Sequence, residues 1–323
     1  MDTSDARLFC LLKDCYFEPT SASVRRPGPR EVAKMVQMDV RTVKARVRNW
    51  ERSGLLQYYQ AIPNYRLFGI RSTSFMVEMA DPSEKEAALG KIHLIDGVTS
   101  VLDFLGDKIL VWLVYEDEDQ LAKRHALLEE VTKSRKIQRF LDEPFGPVET
   151  QLSGLDWQIL GAMRRGAMKP IGRIADELGV TRKTVRAHLE KLVASNAFFV
   201  RSIFDVTRVK GLIFFGIAVA LESELREEAI KELDLVVTCS VNCFVKMVTR
   251  SGSVFLAMWA EDLEGVENSM LSARRIRGVK SVELMLYKRV TEYPQLVDGL
   301  IERKVSEAAR ARAPVPLPRR GRV

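Results

Sequence analysis

Apolar positions recur at helical spacing in two stretches of the chain that copy one another. In the stretch 178–192, Val185, Leu189 and Leu192 stand at i, i+4 and i+7, which gives one apolar face. Arg182, Lys183 and Arg186 fall mostly on the other side. Thr181 stands where a helix N-cap belongs, because its hydroxyl can accept from a backbone N–H of the first turn. In the stretch 32–50, Val43, Val47 and Trp50 take the apolar places, Arg41, Lys44 and Arg48 the outward ones, and Asp39 the cap. Gly54 and Asn196 follow, residue types that tolerate the left-handed end of a helix. Each basic helix is entered by a tight turn from a shorter apolar segment, 32–36 and 174–178. This is a helix-turn-helix pattern, whose second helix enters a DNA major groove. Taken singly, each stretch also describes an amphipathic surface helix with solvated charge. Two copies in matching contexts favour the DNA reader.

Between and after these stretches the period changes to two, the spacing of strands. The first block predicts strand 72–79, helix 82–94, strand 98–105, a turn at Gly106-Asp107, strand 109–115, helix 118–131 and strand 137–141. The second predicts strand 213–221, helix 224–233, strand 241–248, a turn at Ser251-Gly252, strand 254–259, helix 263–274 and strand 279–287. That order is βαββαβ, the ferredoxin-like motif. Aromatic and aliphatic runs at 55–62 and 197–203 follow the basic helices and predict wings. A first helix is expected over 5–13, a Pro-rich loop over 18–30 carrying Arg25-Arg26, and a charged helix over 294–312. The repeat period is about 142 residues, the offset from Asp39 to Thr181, far beyond a solenoid repeat of about 20–50. The expected fold is therefore α+β, with two winged helix-turn-helix domains (1–65 and 154–206) alternating with two ferredoxin-like domains (66–142 and 207–290). A linker covers 143–153, and 291–323 forms the charged helix and a disordered basic tail.

Composition narrows the partners. A chain of 323 residues with 46% hydrophobic content builds more than one core. The net charge of +7 and pI of about 9.2 favour a polyanionic partner. No apolar run approaches the ~18 residues that span a bilayer, and Asp2 and Asp5 near the start do not fit a signal peptide. The cytoplasm is the expected location, with no membrane partner. Cys239 and Cys243 are placed in or beside a strand, where positions four apart lie ~13 Å from each other. Together with Cys10 and Cys15 they read as buried reduced thiols. His93, His125 and His188 are scattered, so no metal site and no cofactor is expected.

The order of modules resembles the Lrp/AsnC family of transcription regulators. The residues that carry the resemblance are Leu155-Asp156-Trp157-Gln158-Ile159-Leu160 (opening helix), 174–192 (helix-turn-helix), 54–61 (wing) and Leu105-Gly106-Asp107-Lys108 (part of the effector turn). It covers almost the whole chain, twice. The resemblance implies DNA binding, pairing through the βαββαβ domain and a small effector such as an amino acid, held near Gly106, Asp107 and Gly252. Two units are fused here, where family members normally carry one, which implies an intrachain pseudo-dimer and a homo-oligomer. The second turn, Arg250-Ser251-Gly252-Ser253, keeps the glycine and lacks the acid that could hold an ammonium group. Gly106 and Gly252 also fit plain hairpin glycines.

The expected function is thus a sequence-specific, non-enzymatic DNA-binding transcription regulator. Val40, Arg41, Lys44, Ala45, Arg182, Lys183, Arg186 and Ala187 are expected to face the bases, and Arg48 and Lys191 the phosphates. The module order also resembles siroheme decarboxylases, which can occur as fused pairs. Such chemistry needs cationic and imidazole groups converging on a pocket. The first block offers only His93 and His125 on separate helices, and the second block none.

Overall fold

Strand β10 (Val279–Glu292) decides how the chain is put together. Its first part, Val279–Leu286, pairs antiparallel with β7 (Ile213–Leu221) of its own half. Its second part, Tyr287–Glu292, pairs antiparallel with β3 (Val98–Phe104) of the other half. The result is an eight-stranded sheet of order β5-β2-β4-β3-β10-β7-β9-β8. The remaining strands are β2 (Arg71–Met79), β4 (Lys108–Tyr115), β5 (Ser134–Asp142), β8 (Cys243–Val248) and β9 (Val254–Ala260). The computed structural model describes residues 4, 5, 7, 8, 29–142, 146–148, 150–239 and 243–312, and among them the chain is mixed α and β around this large antiparallel sheet.

The alternation of side chains along each strand separates two faces. On one face Phe75, Val77, Ile109, Val111 and Leu113 pack under helices α3 (Lys85–Ile92) and α4 (Glu118–Thr132). Phe215, Ile217, Val219, Leu256 and Met258 do the same near α8 (Arg226–Cys239) and α9 (Leu263–Arg274). The other face of both halves meets in one apolar cluster containing Phe104, Leu110, Phe140, Phe255, Ala257 and Met285. Phe140 and Phe255 stack edge to face at 5.6 Å. The sheet curls far enough that Arg250 N–H, just past β8, donates to Phe140 O in β5 at 2.9 Å. Ion pairs close the β3–β10 seam as well: Glu86 receives Lys288 and Arg289 at 2.7 and 3.0 Å, and these two cations hold its carboxyl down to about 2.

The helical modules form a further layer. The first contains α1 (Pro29–Met35) and α2 (Val40–Ser53), and the second α5 (Gly154–Met163), α6 (Ile171–Leu178) and α7 (Arg182–Ala194). They share one core, in which Leu8, Val43 and Trp50 lie with Trp157, Val185 and Leu189. Strands β1 (Leu56–Pro63) and β6 (Phe198–Phe204) pair antiparallel across the halves, from Leu56↔Phe204 to Pro63↔Phe198. Helix α10 (Gln295–Arg312) closes the assembly. Val297, Leu300 and Ile301 pack with Ile62, Tyr65 and Val114, and Gly161 of α5 gives Val305 room to approach.

Several expectations change. The segments 55–62 and 197–203 pair with each other; a wing hairpin within each module is not what they form. Strand β10 runs five residues past the expected end, because its polar continuation Lys288-Arg289 has a partner strand in the other half. Cys239 ends helix α8, so strand spacing does not apply to it and Cys243. Pro29 and Arg30 open α1, since proline suits a first helical turn, and do not belong to a loop. Most of the first helix, Cys10 and Cys15, Arg25-Arg26 and the tail from 313 lie outside the described residues.

Candidate nucleic-acid interface

Helix α2 starts where Asp39 accepts from Arg41 N–H at 2.7 Å, and stops at Gly54 in the left-handed region, φ 72°. Val43 and Trp50 turn inward, and Trp50 stacks edge to face on Phe204 of β6 at 6.1 Å. Arg41, Lys44, Ala45 and Arg48 are exposed. Val40, expected to face outward, is half-buried against the shared core. Helix α7 starts where Thr181 Oγ1 accepts from Thr184 N–H at 3.1 Å, and Asn196 follows its end with φ 54°. Val185, Leu189 and Leu192 are buried, and Arg182, Lys183, Arg186 and Ala187 are exposed. The Arg182 guanidinium lies over Gly172 of α6, its Nε 3.0 Å from where a Cβ there would stand. Among the described residues no carboxylate forms an ion pair with Arg41, Lys44, Arg48, Arg182, Lys183 or Arg186. Two outward helix faces therefore carry positive charge that no carboxylate among the described residues offsets.

Lys191 differs from the other cations. Its Nζ lies 3.1 Å from Asp156 Oδ2 and 3.3 Å from Gln151 O, which ties it to α5. Asp156 is fully buried and also accepts from His188 Nδ1 at 2.6 Å and from Ser153 N and Oγ at 2.7 Å each. Burial opposes its charge, but the donors from His188, Ser153 and Lys191 outweigh burial and hold the carboxyl below its usual range. This carboxylate fixes α7 against α5. In the first module Arg46 meets Asp5 at 2.7 Å. Composition alone does not single out His188, but the repeat offset aligns it with Arg46, and that alignment is the signal that could have found both braces.

The effector-turn candidates sit on separate hairpins, β3–β4 inside the sheet order and β8–β9 at one end of it. Gly106 has φ 91°, and Asp107 Oδ2 lies 3.6 Å from Arg135. Gly252 has φ 79°. A cleft of about 90 Å³ opens on the sheet's inner face, lined by Met76, Lys108, Lys136, Phe140, Glu283 and Met285 among others. His93 stacks on Tyr293 at 6.1 Å, and His125 lies 5.2 Å from Phe75. Phe75 belongs to the helix-covered face, so the sheet itself stands between His125 and the cleft.

No family model and no curated protein matches the sequence. Among solved structures, the siroheme decarboxylase NirDL is similar over 95% of this chain and 100% of its own, with 14% identity and a TM-score of 0.53. The same protein in co-complex with an iron-uroporphyrin III analogue matches at 13% identity and TM-score 0.53, over 94% of this chain and 98% of its own. AsnC of E. coli is similar over 43% of this chain and 94% of its own, at 17% identity and TM-score 0.36. The leucine response regulatory protein LrpA of Mycobacterium tuberculosis covers 47% of this chain and 99% of its own, at 21% identity and TM-score 0.30. Regulators of Lrp/AsnC type are thus neighbours over about half the chain, and a full-length neighbour is an enzyme. The expectation of a non-enzymatic protein is corrected by that full-length likeness. No helix among the described residues is long and apolar enough to cross a membrane.

Proposed function

We propose that the chain is a sequence-specific DNA-binding transcription regulator of Lrp/AsnC type. The observation that carries this reading is the pair of outward faces, Arg41-Lys44-Arg48 and Arg182-Lys183-Arg186, exposed and without carboxylate partners among the described residues. Lysine and arginine displace counterions from phosphate and set the register. Those near the helix N-termini suit guanine O6 and N7. In this reading residues 1–65 and 154–206 are helix-turn-helix domains whose wing segments pair with each other, 66–142 and 207–290 are ferredoxin-like domains, and 143–153 is the linker. The strand orders β5-β2-β4-β3 and β10-β7-β9-β8 suit that assignment. In this reading the chain is an intrachain pseudo-dimer, which the β1–β6 pairing across the halves supports, and chains pair further into a homo-oligomer.

Because the two reading helices differ, one chain reads two unlike half-sites about one helical turn or a multiple apart. The test is a random-sequence duplex selection on the purified chain, followed by a salt titration of the selected site. Log affinity is expected to fall linearly and steeply with log salt. A flat response between about 50 and 200 mM salt defeats the reading, and a minimal site of two identical inverted half-sites defeats the intrachain pairing.

The second reading is tetrapyrrole chemistry of the siroheme decarboxylase kind, favoured by the full-length likeness to NirDL. It draws on the cationic residues of the inner cleft, Lys108 and Lys136. Titration with an iron tetrapyrrole, followed by Soret absorbance, separates the two: a saturable spectral change lost in K108A/K136A supports the enzyme reading.

A further inference from the structure

Where helix α9 ends and β10 begins, four cations fall within seven residues: Arg274, Arg275, Arg277 and Lys280. All four are exposed, and no side chain among the described residues pairs with any of them. Arg274 and Arg275 close α9, where the helix dipole favours a cation. The dipole accounts for neither Arg277 nor Lys280, which lie past the helix end. Gly278, with φ 85°, turns the chain between them, and its carbonyl accepts from Glu222 N–H at 2.8 Å. The pairing of β10 with β7 then shifts register. Val279 faces Leu221 and Ser281 faces Ala220, so Lys280 is the extra residue of a bulge. Glu222 and Glu224, exposed on the β7–α8 connection, form no ion pair with the four among the described residues.

The same place in the first half carries different charge. Asp117 caps α4 and Asp262 caps α9, each accepting from the N–H three residues on, which aligns the two helices. Arg274 and Arg275 then stand where the first half has Glu129 and Glu130, and Arg277 where it has the buried Thr132. Lys280 stands where it has Arg135, and that arginine is paired with Glu78. The open cations therefore belong to the second half and are not required by the fold that both halves share.

Their place is set by α9. Phe214 of β7 and Trp259 of β9 belong to the core of the helical modules, so those modules lie at that end of the second half. Helix α9 starts there, just after β9 ends at Ala260, and its 12 residues span ~18 Å. It delivers the four cations to the other end, where β10 meets Leu221, the last residue of β7.

We propose that Arg274, Arg275, Arg277 and Lys280 form a second, sequence-independent contact with the phosphates of duplex DNA, at the end of the second half away from the reading modules. The inference rests on the DNA reading for its choice of polyanion and adds a surface which that reading does not use. The planar fork of arginine matches phosphate oxygens, and each contact releases a counterion. A second copy of the chain is a poorer occupant, since it carries the same net charge of +7. A duplex that touches both surfaces bends round the chain, or a second duplex takes the far one.

The experiment measures binding of the full chain by fluorescence anisotropy over about 50–200 mM salt. The probes are a selected duplex of about two helical turns, the same duplex extended on both sides by random sequence, and random sequence alone. R274E/R275E installs the acids that the first half carries at these positions, and R277A/K280A removes the other two charges. The combined variant is expected to weaken binding to the extended duplex roughly tenfold or more. The slope of log affinity on log salt is expected to fall by about one per lost contact, with preference for the selected sequence kept. R182A/R186A is expected to do the reverse, losing preference and keeping the patch's share of the slope. A loss confined to the extended duplex supports one bent duplex. A second binding event on the short duplex, lost with the patch, supports two, and either result sustains the proposal. An unchanged slope on every duplex in a folded combined variant overturns it. So does a variant that loses self-association in sedimentation, or binding to vesicles of anionic phospholipid, with its DNA slope intact. A parent without sequence preference defeats the DNA reading alone, and the slope on random sequence still decides this inference.

Discussion

The β3–β4 hairpin and the β8–β9 hairpin are copies with opposite electrostatic outcomes. At the first, Lys85 and Asp103 neutralise each other in the interior, with Lys288 and Arg289 3.7 and 3.5 Å from the same carboxylate. At the second, Arg226 rests on Gly252 with three hydroxyls on the turn and no carboxylate partner among the described residues. The helical modules differ in the opposite direction. Asp5 and Arg46 meet directly, whereas Asp156 gathers His188, Lys191 and Ser153 around one buried carboxylate.

Removing the closed pair gives the largest expected effect. Lys85→Met leaves Asp103 buried, and losing one partner of a buried pair costs about 3–5 kcal/mol. The value should fall at the low end because Lys288 and Arg289 stand near. Arg226→Met, which breaks no ion pair among the described residues, is expected to cost under about 1 kcal/mol. Urea unfolding of both variants measures the contrast, and equal losses would erase it.

Next comes the brace of α7. Asp156→Asn weakens hydrogen bonds to charged donors and is expected to cost about 2 kcal/mol. The folded carboxyl titrates below its usual range, so its contribution is complete above the unfolded value and fades as pH falls through the folded one. The gap in melting temperature between parent and D156N should therefore be wide at neutral pH and close in acid. A gap that widens on acidification would reverse the assignment.

The reading faces affect DNA binding and leave stability unchanged. Arg182→Ala and Arg186→Ala are each expected to cost about 1–3 kcal/mol in binding a selected duplex, and the first-half changes R41A and K44A the same. None should alter the melting temperature, since none of these side chains belongs to the buried face. If only the second-half variants lose affinity, the two helices do not read DNA together.

Much of this was legible locally. The caps at Asp39 and Thr181, the left-handed Gly54 and Asn196, and the inward rows Val43-Trp50 and Val185-Leu189-Leu192 follow from residues within two turns of one another. So do most strand bounds, including 213–221 and the span of α9. Lys288-Arg289 read as the end of a strand because polar residues usually leave a sheet there. Aromatic runs at 55–62 read as wings because nothing nearby names their partner. His188 read as an isolated histidine because its carboxylate lies far back in the chain.

The sequence by itself determined most elements, their caps and the outward cationic faces, because these depend on periodicity and on neighbours a few residues away. Only the tertiary structure decided that β1 pairs with β6, that β10 crosses into the other half, that Asp156 holds His188 and Lys191, and that Arg226 sits on Gly252. Each of these is a choice of partner across a long stretch of chain. Edge strands and buried charges accept any complementary group that packing brings within reach, so local pattern states the need for a partner without naming it.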